Sequence, residues 1–167
     1  WGIDLKQNSI GVTDSIQAEE MGKFPDDNLA ESLQRIAGAS IDRAEGEGQF
    51  VTVRGFGPQF NTVQSNGRTL ATDNRGREFS FDTIAPELVR AITVQKTFSA
   101  SQPSGGIGSI INIETARPFA SDEFEMGGSI KATLDTNSNK TTPHGTIYAS
   151  NSNEKLGWLF SVSHQLR

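Results

Sequence analysis

Ser104-Gly105-Gly106-Ile107-Gly108-Ser109 is the stretch of this 167-residue chain whose composition best suits binding of a phosphate. That chemistry needs the glycines to open a helix, so that free N–H groups face the anion. Here they run into Ile110-Ile111-Asn112-Ile113, a strand pattern, and no Gly-Lys-Ser/Thr follows, which excludes a nucleotide loop. Asp135-Thr136-Asn137-Ser138-Asn139 opens like a calcium loop, but Lys140 stands where the sharp turn needs Gly, and Thr146 where a bidentate Glu should close the site. His144 and His164 have no third ligand and no nucleophile at a telling spacing. Glu45 and Glu47 flank Gly46 in a polar turn and form no acid–base pair. The absence of cysteine removes disulfides, thiolate nucleophiles and Cys-based zinc sites. The sequence therefore nominates no catalytic residue, no metal and no cofactor, and is read as a non-enzyme.

The formal net charge is −5, which argues against a nucleic-acid partner, since a basic face is needed to replace the counterions of the phosphates. Acidic residues dominate from Trp1 to Phe50, whereas Arg54, Arg68, Arg75, Arg77, Arg90 and Lys96 tip the next stretch to basic. No apolar run approaches the ~18 residues of a membrane helix, so any contact with a bilayer is left to strands.

The elements that must position these residues read as α+β. Val12 to Gly22 has the spacing of a short capped helical turn. Asp26, Asp27 and Asn28 offer N-cap oxygens to a second helix, with Leu29, Leu33 and Ile36 at helical spacing, Glu31 completing a capping box and Gly38 as the stop. Then the period changes to two. Ala39 to Ile41 and Phe50 to Val53 are strands around the Gly46-Glu47-Gly48 turn. Thr62 to Ser65 and Arg68 to Leu70 form a hairpin around Asn66-Gly67, a pair that tolerates positive φ at both turn positions. A polar loop, Ala71 to Glu78, leads to short helical turns started by Asp82 and Pro86. Strands at Ala91–Val94 and Ser109–Glu114 flank the loop from Ser99 to Gly108.

After Arg117-Pro118 the texture changes. Ile130, Ala132 and Leu134 alternate with Ser129, Lys131, Thr133 and Asp135; a weaker strand covers Gly145 to Ser150; in Leu156 to Leu166, Trp158, Phe160 and Val162 share one side. Strands of about ten residues with one apolar face suit a membrane barrel wall, and equally an antiparallel sheet on a soluble core.

One ordered series of segments is far more specific. It runs Phe24-Pro25-Asp26-Asp27-Asn28-Leu29-Ala30-Glu31-Ser32-Leu33-Gln34-Arg35-Ile36, Gly46-Glu47-Gly48, Val51-Thr52-Val53-Arg54-Gly55-Phe56-Gly57-Pro58, Asn66-Gly67-Arg68, Phe79-Ser80-Phe81-Asp82, Ile92-Thr93-Val94, Gly105-Gly106-Ile107-Gly108 and Asn112-Ile113. Together these resemble the plug of TonB-dependent outer-membrane receptors. The resemblance implies a mixed-sheet plug with short helices over 12–118, after an N-terminal extension over 1–11. Residues 119–167 would then be the first strands, about three, of an incomplete β-barrel of about 22 strands. It implies the outer membrane of a Gram-negative bacterium, with the plug inside the barrel lumen. The implied partners are that barrel, TonB gripping a segment upstream of the plug, and a scarce nutrient such as an oligosaccharide or siderophore. The helix around Asn28 to Gln34, and Lys96 where Arg is usual, are similar to the subgroup often tied to carbohydrate uptake.

Matched residue by residue, Arg54 and Lys96 stand at the positions that dock the plug onto barrel carboxylates, although Lys96 lacks the planar fork of Arg. Gln59, Phe60, Asn61, Asn74, Arg75 and Arg77 fall in the loops that face external ligand. Asn66, Gly67, Gly105, Gly106 and Gly108 are structural turns. Three strands cannot close a barrel, whose smallest form uses about eight. The chain is thus expected to be a piece of a longer protein, unable to transport alone and prone to strand-mediated self-association. The alternative is a soluble β-rich, carbohydrate-binding module, which predicts a stop just after Arg167. The receptor reading predicts several hundred more residues of alternating strands.

Overall fold

The computed structural model describes residues 11–17, 28–44, 47–84, 86–120, 124–135 and 140–165. The extension up to Ile10, the helix entry Phe24 to Asp27 and the tip of the Gly46 turn lie outside them. The chain divides after Thr115 into two compact units.

The first unit is built on a five-stranded mixed sheet in the order β1-β6-β7-β4-β5. Its strands are β1 (Thr13–Gln17), β4 (Asn61–Ser65), β5 (Arg68–Thr69), β6 (Val89–Gln95) and β7 (Ser109–Thr115). β4 and β7 run parallel, and the other pairs are antiparallel. A separate hairpin joins β2 (Ala39–Ala44) to β3 (Glu47–Val53). The single α-helix among the described residues, α1 (Leu29–Leu33), lies against that hairpin.

The helix is only five residues long, too short to persist on propensity alone, so its stability comes from the ends and from burial. Asn28 Oδ1 accepts from the Glu31 N–H at 3.2 Å, as the capping pattern requires. The chain then tightens through Arg35 and Ile36, whose N–H groups donate to Ser32 and Leu33, and leaves through Gly38 at φ 77°. Leu29, Leu33 and Ile36 bury together with Val51, Val53, Phe81, Val89, Ile92, Val94, Ile111 and Ile113. Asn28 also donates from Nδ2 to the Gly48 carbonyl at 2.8 Å, tying the helix start to β3. Asn28→Ala therefore removes a cap and strands a buried carbonyl. A loss of about 1–3 kcal/mol is expected, read as a lower urea midpoint at unchanged slope.

The Val12 to Gly22 helical turn is corrected in its described part. Thr13–Gln17 is an edge strand in which Ile16 sits opposite Ile92 and buries beside it. The Asn66-Gly67 turn has φ of 50° and 79°, and 3-10 turns occupy Phe81–Thr83 and Pro86–Leu88.

Register gives the sheet two unlike faces. Ile16, Ile92 and Ile113 line up toward the core, as do Val94, Ile111 and Val63. On the opposite face Ser15, Thr93, Asn112, Gln64 and Thr69 form one polar row across all five strands. Within that row Ser15 Oγ and Gln64 Nε2 are buried without a hydrogen-bond partner.

The second unit is an antiparallel sheet ordered β10-β9-β8, from β8 (Glu125–Asp135), β9 (Lys140–Ser152) and β10 (Gly157–Gln165). Met126, Ile130, Ile147, Trp158, Phe160 and Val162 fall on one face by register and are exposed, Ile130 at 91%. Thr146, Ser150 and Ser152 on the other face are buried. β9 starts at Lys140, ahead of the Gly145 start read from alternation, and carries Pro143 opposite Ala132.

Candidate functional site

Parallel pairing of β4 and β7 brings the start of both strands to one end of the sheet, Asn61 opposite Ser109. β5 runs back along β4, with Leu70 N–H still donating to Val63 O at 2.9 Å, so the loop that follows it emerges at the same end. Three loops meet there: 54–60, 71–80 and 96–108.

The first begins with a tight turn. Val53 and Phe56 exchange backbone hydrogen bonds at 3.2 and 3.0 Å, with Arg54 at φ 53° and Gly55 at φ 77° between them. Positive φ at an arginine costs about 1 kcal/mol and needs holding in place. The Arg54 N–H donates to Gly38 O at 2.7 Å, and Nη2 donates to Gly108 O at 3.1 Å. Gly108 in turn donates its N–H to Phe60 O at 3.0 Å. From the second loop, Arg77 Nη2 reaches Gly105 O at 3.4 Å. Two guanidiniums, one from each of the other loops, thus clasp carbonyls of the glycine loop.

The glycines are required by close approach. A Cβ on Gly106 would lie 2.7 Å from Ser109 O and 2.8 Å from Thr62 N; one on Gly108 would lie 2.9 Å from Phe56 Cβ. Gly105 has φ 130°, open to glycine alone at little cost. Around this clasp Phe56 and Phe60 meet edge-to-face at 6.3 Å, each 40% exposed, and Ile107 is 58% exposed. Gln59 and Arg75 are exposed as well.

Not every residue assigned to ligand faces out. Asn61 is buried: Nδ2 donates to Val51 O at 2.8 Å, and Oδ1 accepts from Ser109 Oγ at 2.9 Å. Its amide joins β3, β4 and β7 in the interior, away from solvent. Asn74 is half-buried and holds its own loop, donating from Nδ2 to Glu78 O at 3.0 Å and Ser80 Oγ at 2.9 Å. Asn66 braces the end of β7 through Thr115 in both directions, 2.9 and 3.2 Å, while the Gly67 N–H donates to Asn112 Oδ1 at 2.8 Å.

Lys96, placed by the resemblance at the wall, is turned inward. It is 5% exposed, with Nζ 2.7 Å from Asp14 Oδ2 and also donating to Ala37 O. Its charge is met within the unit. The residues that sequence reasoning missed are Phe56, Ile107 and Asp14. Phe56 and Ile107 lay inside quoted motifs without a role, and Asp14 was hidden in a segment read as helical. Among the described residues no cluster of His, Asp and Glu is arranged to hold a metal.

The family model for the TonB-dependent receptor plug domain matches residues 5–110. A TonB-dependent heme receptor A of Haemophilus ducreyi is 28% identical over 149 residues, spanning 86% of this chain and 20% of the relative. The protein of the same name from Haemophilus influenzae is 30% identical over 119 residues, 63% of this chain and 16% of its own length. This chain thus spans about a fifth of the length of the curated relatives it matches. Among solved structures, the ferric citrate transporter FecA in its unliganded form superposes with a TM-score of 0.77 at 19% identity, over 96% of this chain and 26% of that one. The siderophore receptor PirA from Pseudomonas aeruginosa gives 0.70 at 22% identity, over 93% and 28%.

Proposed function

This chain belongs to the TonB-dependent receptor plug domain family, and on that premise we propose that it gates uptake of an iron-bearing chelate through an outer-membrane barrel. The observation that carries the ligand class is the sheet end where Arg77 and Arg54 clasp the glycine loop beside Phe56, Phe60 and Ile107. Guanidinium groups favour carboxylates and other anions, and aromatic faces favour flat apolar rings. A ligand with both features, as in heme or an aromatic ferric chelate, fits this surface better than a neutral oligosaccharide. The names of the relatives, heme receptors in two Haemophilus species, point the same way.

The second unit takes the role of the first wall strands. Its exposed row of Met126, Ile130, Ile147, Phe160 and Val162 suits lipid, and its buried hydroxyl row suits a polar lumen. Phe124 and Trp158, with ring centroids 6.5 Å apart at one end of the sheet, suit an interfacial aromatic belt. In the plug unit, the polar row from Ser15 to Gln64 suits a hydrogen-bonding lumen wall rather than an apolar partner. TonB, engaging a segment before the plug, would supply the energy.

The test is ligand binding to the full-length receptor. Arg77→Ala and Phe60→Ala are each expected to weaken binding of heme or a ferric chelate by about ten-fold, with plug stability little changed. Tight binding of a neutral oligosaccharide, indifferent to both changes, would replace this ligand class with a sugar.

A further inference from the structure

Lys96 is partnered within its own unit, and those partners point to work beyond the docking that the resemblance implies. It follows β6 directly, and its backbone N–H continues the pairing with β1 by donating to Val12 O at 2.8 Å. The next residue adds a side-chain tie, with Thr97 Oγ1 accepting from Val12 N–H at 2.9 Å. The Lys96 side chain then runs inward rather than out. Nζ meets two acceptors of different origin: Asp14 Oδ2 on β1 and the Ala37 carbonyl in the turn that closes α1. An ammonium so fully buried requires such partners, since an unpaired charge there would cost several kcal/mol.

What makes the arrangement more than a latch is the neighbouring peptide. Ala37 precedes Gly38, whose carbonyl accepts the Arg54 N–H at 2.7 Å. Gly38 has positive φ and no Cβ, and a Cβ placed there would touch Arg54 Cγ at 3.7 Å. Fixing the Ala37 carbonyl fixes the peptide plane that leads into Gly38. The Gly38 carbonyl then holds Arg54 in its left-handed conformation. Arg54 in turn holds Gly108, and Gly108 holds Phe60. Four hydrogen bonds, joined by the Ala37–Gly38 peptide, thus lead from the buried ammonium to the Phe60 carbonyl.

We propose that Lys96 is a positioning residue for Arg54: its ammonium, aimed by Asp14, anchors the Ala37–Gly38 turn that sets the Arg54 backbone and, through it, the glycine loop. The cation on this strand end is therefore part of the plug's own frame, while Arg54 remains exposed.

Amide hydrogen exchange on the full chain tests this residue by residue. Lys96→Met keeps the aliphatic stem and removes the charge. Exchange at the Arg54 and Gly108 amides is expected to speed up about ten-fold or more. The Asn66 amide, bonded to Ile113 O at 2.9 Å at the far end of the sheet, should keep its rate. Asp14→Asn preserves the shape and weakens the aim of the ammonium, and should accelerate the same two amides by a smaller factor. Should Lys96→Met unfold the chain, so that all amides exchange alike, Asp14→Asn decides. Faster exchange confined to β1, with Arg54 at its wild-type rate in Asp14→Asn, reduces Lys96 to a strand latch and overturns the proposal.

Discussion

Gly106→Ala is expected to destabilise the plug unit by about 2–4 kcal/mol, more than any single change at the exposed loops. The nearest neighbour of the added methyl, the Thr62 hydroxyl with Oγ1 at 2.6 Å, can turn away, but the next two atoms cannot. They are Ser109 O at 2.7 Å and Thr62 N at 2.8 Å, both backbone atoms where β7 and β4 begin their parallel pairing. Relief requires the two strand starts to separate. The neighbouring register pair is Asn61 and Ser109, whose buried side chains bond to each other at 2.9 Å while Asn61 holds Val51 O at 2.8 Å. Separation strains those bonds as well, so the overpacking cost and part of a buried hydrogen-bond cost fall together. Gly105→Ala provides the control. There the obstacle is φ 130° and the movable Arg77 guanidinium at 3.1 Å, so a cost of about 1 kcal/mol is expected. Urea unfolding of the two variants should show midpoints ordered wild type, Gly105→Ala, Gly106→Ala at common slope. Equal midpoints for the two would mean that the strand starts yield freely, and the clasp is looser than the distances imply.

The contrast between what was legible in the sequence and what was not follows the range of the forces involved. The Asn66-Gly67 turn, the Asn28–Glu31 cap and the exit at Gly38 were readable because each is a rule about a few adjacent residues. The alternation that gave β8 and β10 is local as well. β1 was misread as a helical turn because Ile16 earns its strand conformation from Ile92, far along the chain, and a short window holds no trace of that partner. The same reason governs the two misplaced side chains. Asn61 looks like any polar loop residue until Val51 and Ser109 are folded around its amide, and Lys96 looks like any surface cation until Asp14 arrives beside it. The glycine loop lies between these cases. Its glycines announced a backbone constraint, but not that two arginines would close on their carbonyls.

Arg54 offers the sharpest separation of a local role from a docking role, because glycine and alanine at this position should part company in one setting and agree in the other. In the chain alone, Arg54→Gly gives up a single half-buried hydrogen bond to Gly108 O and relieves the backbone held at φ 53°. The two effects are each about 1 kcal/mol and oppose one another, so its stability should stay near wild type. Arg54→Ala gives up the same bond and keeps the strained backbone, and should melt below Arg54→Gly by about 1 kcal/mol. In the full-length receptor the expectation changes. If Arg54 docks on a wall carboxylate, as the resemblance implies, that carboxylate loses its counter-charge, which costs about 3–5 kcal/mol whichever small residue replaces the arginine. Both variants should then lose seating of the plug together, seen as rapid exchange of plug amides and leakage of small solutes through the barrel. A full-length Arg54→Gly receptor that keeps wild-type exchange and takes up ligand normally would show that the arginine serves the glycine loop alone. Identical melting of the glycine and alanine variants in the chain alone would instead remove the strain that the left-handed turn implies.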